Sequence, residues 1–134
     1  MDHDLDYWTD KLPRSLGQVQ EYLLHRLILE EREIFGALCI DAKNRLIACE
    51  DIAPGSISNV NVFPREVVKT ALKHNAASVI FYHNHPSGDA VPSQTDLTTT
   101  SGLTKILRMI GVRVLDHIIV AGTSARSLLS EGEL

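Results

Sequence analysis

Two histidines lie two residues apart where an apolar segment ends in proline. His83 and His85 flank Asn84, and Pro86 follows them. In an extended chain both imidazoles point to the same side, with Cα atoms about 7 Å apart. Two imidazoles at that separation can bind one ion, at the Zn–N distances usual for histidine. The pair is weak evidence by itself, since His-x-His pairs also occur by chance.

Asp96 is the third candidate ligand, and Ser93 precedes it by three residues. The tract PSQTD has the pattern of a helix start, with Ser93 as the N-cap and Asp96 at the third helical position. Taken alone, these two residues indicate only a helix cap. Beside the histidines they predict a metal site, because a carboxylate near a helix N-terminus is favoured in its charged form. Two imidazoles and one carboxylate leave one tetrahedral position open, which is typical of catalytic zinc.

Hydrolysis at such a site needs a base, and Glu33 is our candidate. It lies at the start of the first apolar segment, in EREIFGAL. Its neighbours Glu30, Glu31 and Arg32 form a charged run with it, and such runs are ordinarily solvated surface. From the residues alone, Glu33 cannot be distinguished from that surface.

The hydrophobic pattern predicts a mixed α/β sheet flanked by helices. We expect a tail over 1–14 and one domain over 15–134. The predicted elements are a helix over 16–30, strands over 34–40 and 46–52, an extended segment over 60–63, a helix over 64–75, a strand over 77–83, a loop over 84–92, a helix over 93–110, and strands over 112–121 and 127–129. The strand over 77–83 is apolar on both faces and is expected at the centre of the sheet. The histidines lie at its carboxyl end, where ligands bind in open α/β sheets.

Composition excludes several classes of protein. The chain has 134 residues, which suits one domain, and a net charge of −4, which argues against unaided nucleic-acid binding. Cys39 and Cys49 form no CxxC pair, so we expect two buried free thiols and no cysteine zinc ribbon. No apolar run approaches the ~20 residues that span a bilayer. The acidic N-terminus is unlike a signal peptide, so we predict a cytoplasmic protein that does not enter membranes.

The other four histidines are weaker candidates. His3 lies in the predicted tail, and His25 and His74 lie on predicted helices where we expect them to be solvated. His117 lies in an apolar strand. A satisfied structural histidine is the favoured interpretation there, and a place beside the metal ligands or the substrate is the alternative.

The segment HNHPSGDAVPSQTD matches the JAMM motif, His-x-His-Pro-x6-Ser-x2-Asp, at every specified position. The segment Glu33-Ile34-Phe35-Gly36 resembles the remote glutamate segment of that motif. The closer resemblance is to the JAMM-like (JAB/MPN) domain of the bacterial RadC proteins. It rests on FPREVVKTALKHNAASVIFYHNHPSGDAVPSQTD, on Asp41-x-Lys43-Asn44-x-Leu46-Ile47, on VLDHIIV and on SLLSEGEL, and it covers about 16–134.

This resemblance implies a JAB/MPN fold, which is similar to that of the cytidine deaminases, and a zinc-dependent enzyme that cleaves amide or isopeptide bonds. His83, His85 and Asp96 would hold Zn²⁺. Glu33 would be the general acid/base that activates the zinc-bound water, and Ser93 would donate a hydrogen bond to the oxyanion. The implied partner is a peptide or protein substrate, and the oligomeric state stays open.

Full-length RadC proteins carry an N-terminal helix-hairpin-helix segment that could hold DNA. Only about fifteen residues precede the first predicted helix here, so we expect no such segment, and direct nucleic-acid binding is not expected without an added domain. Two alternatives to the hydrolase stay open. One is a DNA repair or recombination protein that binds or processes DNA. The other is a non-catalytic interaction module that keeps a metal site for stability.

Overall fold

A five-stranded mixed sheet organises residues 16–54 and 63–134, which are the residues that the computed structural model describes. The helices are α1 (Leu16–Leu27), α2 (Phe63–Lys73) and α3 (Gln94–Met109), and the strands are β1 (Ile34–Ile40), β2 (Leu46–Pro54), β3 (Ser78–Asn84), β4 (Arg113–Ala121) and β5 (Ser124–Ser127). The strand order is β2-β1-β3-β4-β5, with β3 and β4 parallel and the other neighbours antiparallel. The predicted α/β class and mixed sheet flanked by helices are confirmed.

Helices cover both faces of the sheet, and the alternation of side chains along each strand divides the core in two. In β1, Phe35, Ala37 and Cys39 join the cluster under α2 and α3, whereas Leu38 and Ile40 join the cluster under α1. All seven residues of β3 are buried, and the strand lies at the centre of the sheet as predicted. This placement carries the first histidine into the interior.

Most boundaries differ from the predicted ones by one to three residues; helix α2, for example, covers Phe63–Lys73 instead of 64–75. Helix α1 ends at Leu27 instead of residue 30, and Ile28 and Leu29 are exposed. Strand β2 continues to Pro54 instead of ending at 52. The last strand covers Ser124–Ser127 instead of 127–129, because the turn at Gly122, whose φ is +58°, returns the chain at once against β4.

Some predictions lie outside the described residues. The tail over 1–14 is one of them, and of the extended segment over 60–63 only Phe63 is described, as the first residue of α2. Within residues 16–54 and 63–134, no helix combines the length and the apolar character needed to cross a membrane.

Gly36 lets the central strands lie close together. A Cβ atom at this position would overlap the ring of Tyr82 and the backbone carbonyl of Glu50. The Tyr82 hydroxyl passes this point to donate a hydrogen bond to Asp51 Oδ1 at 2.6 Å. Glycine is therefore required in β1 by close approach, in the segment that directly follows Glu33.

Candidate metal centre

Four side chains converge at the carboxyl end of β3, and we call them the cluster: Glu33, His83, His85 and Asp96. The Nε2 atoms of His83 and His85 are 2.8 Å apart. Asp96 Oδ2 lies 3.6 Å from Nε2 of His83 and 3.3 Å from Nε2 of His85. A carboxylate oxygen of Glu33 also lies within 4.8 Å of ligand atoms on both histidines. The fold thus brings together residues that are up to 63 positions apart in the sequence.

Backbone pairing fixes the two histidines. His83 lies within β3 and is completely buried, on the face of the sheet covered by α2 and α3. His85 comes one residue after the strand, but its backbone N–H donates to Val120 O at 2.8 Å. This bond extends the pairing with β4 by one step, so that both imidazoles point to the same side as the spacing predicts.

Asp96 takes part in the helix cap and in the cluster at once. Its backbone N–H donates to Ser93 Oγ at 2.9 Å, and its Oδ2 accepts from Ser93 N at 2.9 Å, so the predicted capping box is present. Burial raises the pKa of the Asp96 carboxyl, but the interactions with His83 and His85 and the hydrogen bond from Ser93 N outweigh it and hold that pKa well below its ordinary value. The cap therefore supplies a charged carboxylate to the histidines.

Asn84 positions Glu33, and sequence reasoning missed this residue. Its Oδ1 accepts from Ile34 N at 2.7 Å, and its Nδ2 donates to Arg32 O at 2.8 Å. These two bonds clamp the backbone on either side of Glu33 against the end of β3. The signal in the sequence was the amide side chain between the two histidines, which is not a typical zinc ligand.

The donor atoms fit a divalent cation. His85 Nδ1 lies 2.7 Å from Asp89 O, and because a carbonyl only accepts, this ring nitrogen carries hydrogen. In its neutral form His85 therefore presents the lone pair of Nε2 to the cluster. Nitrogen lone pairs and carboxylate oxygens this close repel one another unless a proton or a cation lies among them. The Glu33, His83 and His85 cluster is thus compatible with metal binding.

The remaining histidines divide differently from the prediction. His25 is exposed as expected, whereas His74 follows the end of α2 and is only partly solvated, because its side chain is 20% exposed and pairs with Glu50. His117 is buried and hydrogen-bonded, as the favoured interpretation required. One of its partners, however, is His83 Nδ1, at 2.7 Å from Nε2 of His117. Burial lowers the pKa of His117 well below its ordinary value, which keeps the ring neutral.

Comparison with known proteins identifies the family. A family model described as RadC-like JAB domain matches residues 13–133. The chain is 50% identical over 116 residues to a UPF0758 protein of Cellvibrio japonicus, with 87% of this chain and 52% of the relative covered. It is 48% identical to a UPF0758 protein of a Janthinobacterium strain over the same fractions, and 50% identical to one of Stenotrophomonas maltophilia over 91% of this chain and 51% of that protein. The chain spans about half the length of these relatives. Because the family model matches nearly the whole chain, this chain belongs to the RadC-like JAB domain family.

Proposed function

We propose that this domain is a zinc-dependent metallohydrolase that cleaves an amide bond, peptide or isopeptide, in a peptide or protein substrate. The observation that carries the proposal is the convergence of two imidazole Nε2 atoms and two carboxylates at one strand end. Two imidazoles with a carboxylate are a donor set that zinc favours in hydrolases. Family membership supports the proposal, because the JAMM motif is present in full.

In this proposal His83, His85 and Asp96 hold the ion. Zinc supplies Lewis acidity, which lowers the pKa of water to about 7 and polarises the scissile carbonyl. Glu33 stays outside the ligand set. Its carboxylate, held beside the histidines by the Asn84 clamp, accepts the proton of the attacking water and returns it to the leaving amine.

Ser93 has the remaining role, as a hydrogen-bond donor to the carbonyl oxygen on which charge develops. Its Oγ accepts the backbone N–H of Asp96, and this cap uses a lone pair and leaves the hydroxyl hydrogen for a further bond. The residue is exposed, so a substrate can reach it. A hydroxyl fixed in this way stabilises the transition state without reorganisation.

Metal content tests the site. Purified protein should bind about one zinc ion per chain, and His83→Ala and Asp96→Ala should each abolish that binding. His25→Ala is the matched control, because His25 is exposed on α1 and remote from the cluster in sequence. Full zinc occupancy in both site variants would contradict the proposed ligand set.

The base is tested by Glu33→Gln, with the exposed neighbour Glu31→Gln as control. The probes are internally quenched peptides, one set with α-peptide bonds and one with bonds to a lysine side chain. Glu33→Gln should keep its zinc and its fold and lose turnover by a factor of about 10² to 10⁴, whereas Glu31→Gln should behave like the unaltered protein. Zinc binding without cleavage of either set by any variant would favour a non-catalytic module that keeps the metal for stability.

A further inference from the structure

A buried line of hydrogen bonds runs behind His83, away from the cluster. His83 Nδ1 lies 2.7 Å from His117 Nε2, and His117 Nδ1 lies 2.7 Å from Thr100 Oγ1. Thr100 Oγ1 in turn lies 2.8 Å from the backbone carbonyl of Asp96. His83 and His117 are completely buried and Thr100 is 1% exposed, so water does not compete for these bonds.

We infer that His117 and Thr100 are positioning residues that fix His83 in the one tautomer able to bind a metal. The direction of each bond follows from the far end of the line. A carbonyl only accepts, so Thr100 donates its single hydroxyl hydrogen to Asp96 O. The oxygen of Thr100 must then accept from His117, which places the hydrogen of that ring on Nδ1.

The same reasoning gives the position of the hydrogen on His83. A neutral His117 with hydrogen on Nδ1 offers a lone pair at Nε2, and His83 therefore donates from its own Nδ1. Hydrogen on Nδ1 leaves the Nε2 lone pair of His83 facing His85 and Asp96. If donors and acceptors were exchanged along the line, the Thr100 hydroxyl would donate to His117 and His83 would carry its hydrogen on Nε2, where it would block a metal.

Packing holds His117 in the orientation that this line requires. Its ring meets the rings of Phe35 and Phe81 edge-on, with centroids 5.7 Å and 6.0 Å apart. Asp96 lies on both sides of His83, because its Oδ2 is 3.6 Å from His83 Nε2 and its backbone carbonyl accepts the hydrogen bond from Thr100 at the far end of the line. Helix α3 thus positions a ligand of its own and orients a ligand on β3.

This inference rests on the proposed metal site and is independent of the proposed reaction. Partners that orient a histidine ligand typically contribute 10- to 100-fold to metal affinity. Thr100→Val removes the hydroxyl with little change in volume, and Thr100→Ser restores it. Thr104→Val is the matched control, because Thr104 makes the same hydroxyl bond one turn further along α3, to Thr100 O at 2.7 Å, and bonds to no histidine among the described residues.

Nitrogen-15 NMR of the imidazoles in the metal-free protein reads the tautomers directly. We expect hydrogen on Nδ1 of both His83 and His117, and loss of this preference in Thr100→Val but not in Thr100→Ser or Thr104→Val. Zinc affinity, measured by competition with a chelator, should fall about 10- to 100-fold in Thr100→Val alone.

Two outcomes would overturn the inference. One is a neutral His83 that carries its hydrogen on Nε2 and none on Nδ1 in the metal-free protein. The other is equal zinc affinity in the Thr100→Val and Thr104→Val variants. Failure of the unaltered protein to bind zinc would instead overturn the proposed function, and the tautomers of the metal-free protein would still decide whether the line has the inferred direction.

Discussion

The capping box at the start of α3 allows stability and metal binding to be separated with two neighbouring substitutions. Ser93→Ala removes the N-cap oxygen, which costs about 1 kcal/mol, but leaves the Asp96 carboxylate in place. Asp96→Asn keeps the shape of the side chain and removes its charge beside His83 and His85. We expect both variants to lower the stability of the metal-free protein.

Zinc should separate the two variants. At free zinc 100-fold above the Kd, binding stabilises the native state by about 2.7 kcal/mol. A chain of 134 residues unfolds with an entropy of about 0.28 kcal/mol per K. The unaltered protein and Ser93→Ala should therefore gain about 10 °C in Tm when zinc is added. If Asp96→Asn weakens binding about 100-fold, the same zinc gives only about 0.4 kcal/mol, or between 1 and 2 °C.

The assay is thermal unfolding of both variants with zinc and with a chelator, at one pH and salt concentration. A full zinc-dependent rise in Asp96→Asn would refute Asp96 as a ligand. Loss of the rise in Ser93→Ala to the same extent would show that the cap, rather than the carboxylate, is what the metal site requires.

Three further predictions address the pH dependence, the packing and the clamp. The pKa of His85 is raised, mainly by the hydrogen bond to Asp96. Because a metal needs the neutral ring, zinc affinity should fall as the pH drops through that raised pKa. Constant affinity from pH 5.5 to 8 would contradict this. In urea unfolding, Gly36→Ala should lower the free energy of unfolding by about 1–3 kcal/mol, because the added methyl group overlaps Tyr82 and the Glu50 carbonyl. Gly102→Ala, in open space on α3, should raise the free energy of unfolding by about 0.5–1 kcal/mol. An equal change in stability in both variants would refute the argument that Gly36 is required by close approach. Asn84→Ala should speed hydrogen exchange at the Ile34 amide, which donates to Asn84 Oδ1, and unchanged exchange would show that the clamp is not needed.

Much of the site was predictable because its chemistry is encoded over short distances. The spacing of His83 and His85 places both rings on one side of an extended chain, and the spacing of Ser93 and Asp96 specifies a capping box. These are properties of a few consecutive residues, and they do not depend on what packs against them. For the same reason the central strand and the α/β class followed from hydrophobic pattern alone.

Local spacing does not show which distant residues lie beside these side chains, because pairing across the sheet decides it. Glu33 is one of four charged residues in a row, and only the pairing of β1 with β3, with the Asn84 clamp, places it beside the histidines. His117 occupies an ordinary apolar strand in the sequence. Parallel pairing of β3 with β4 brings its ring to His83, and α3 brings Thr100 to its other nitrogen. The sequence by itself thus determined the types of the candidate ligands and their local geometry. The tertiary structure decided which charged residue lies beside the histidines and how their rings are oriented, because both depend on contacts between segments far apart in the chain.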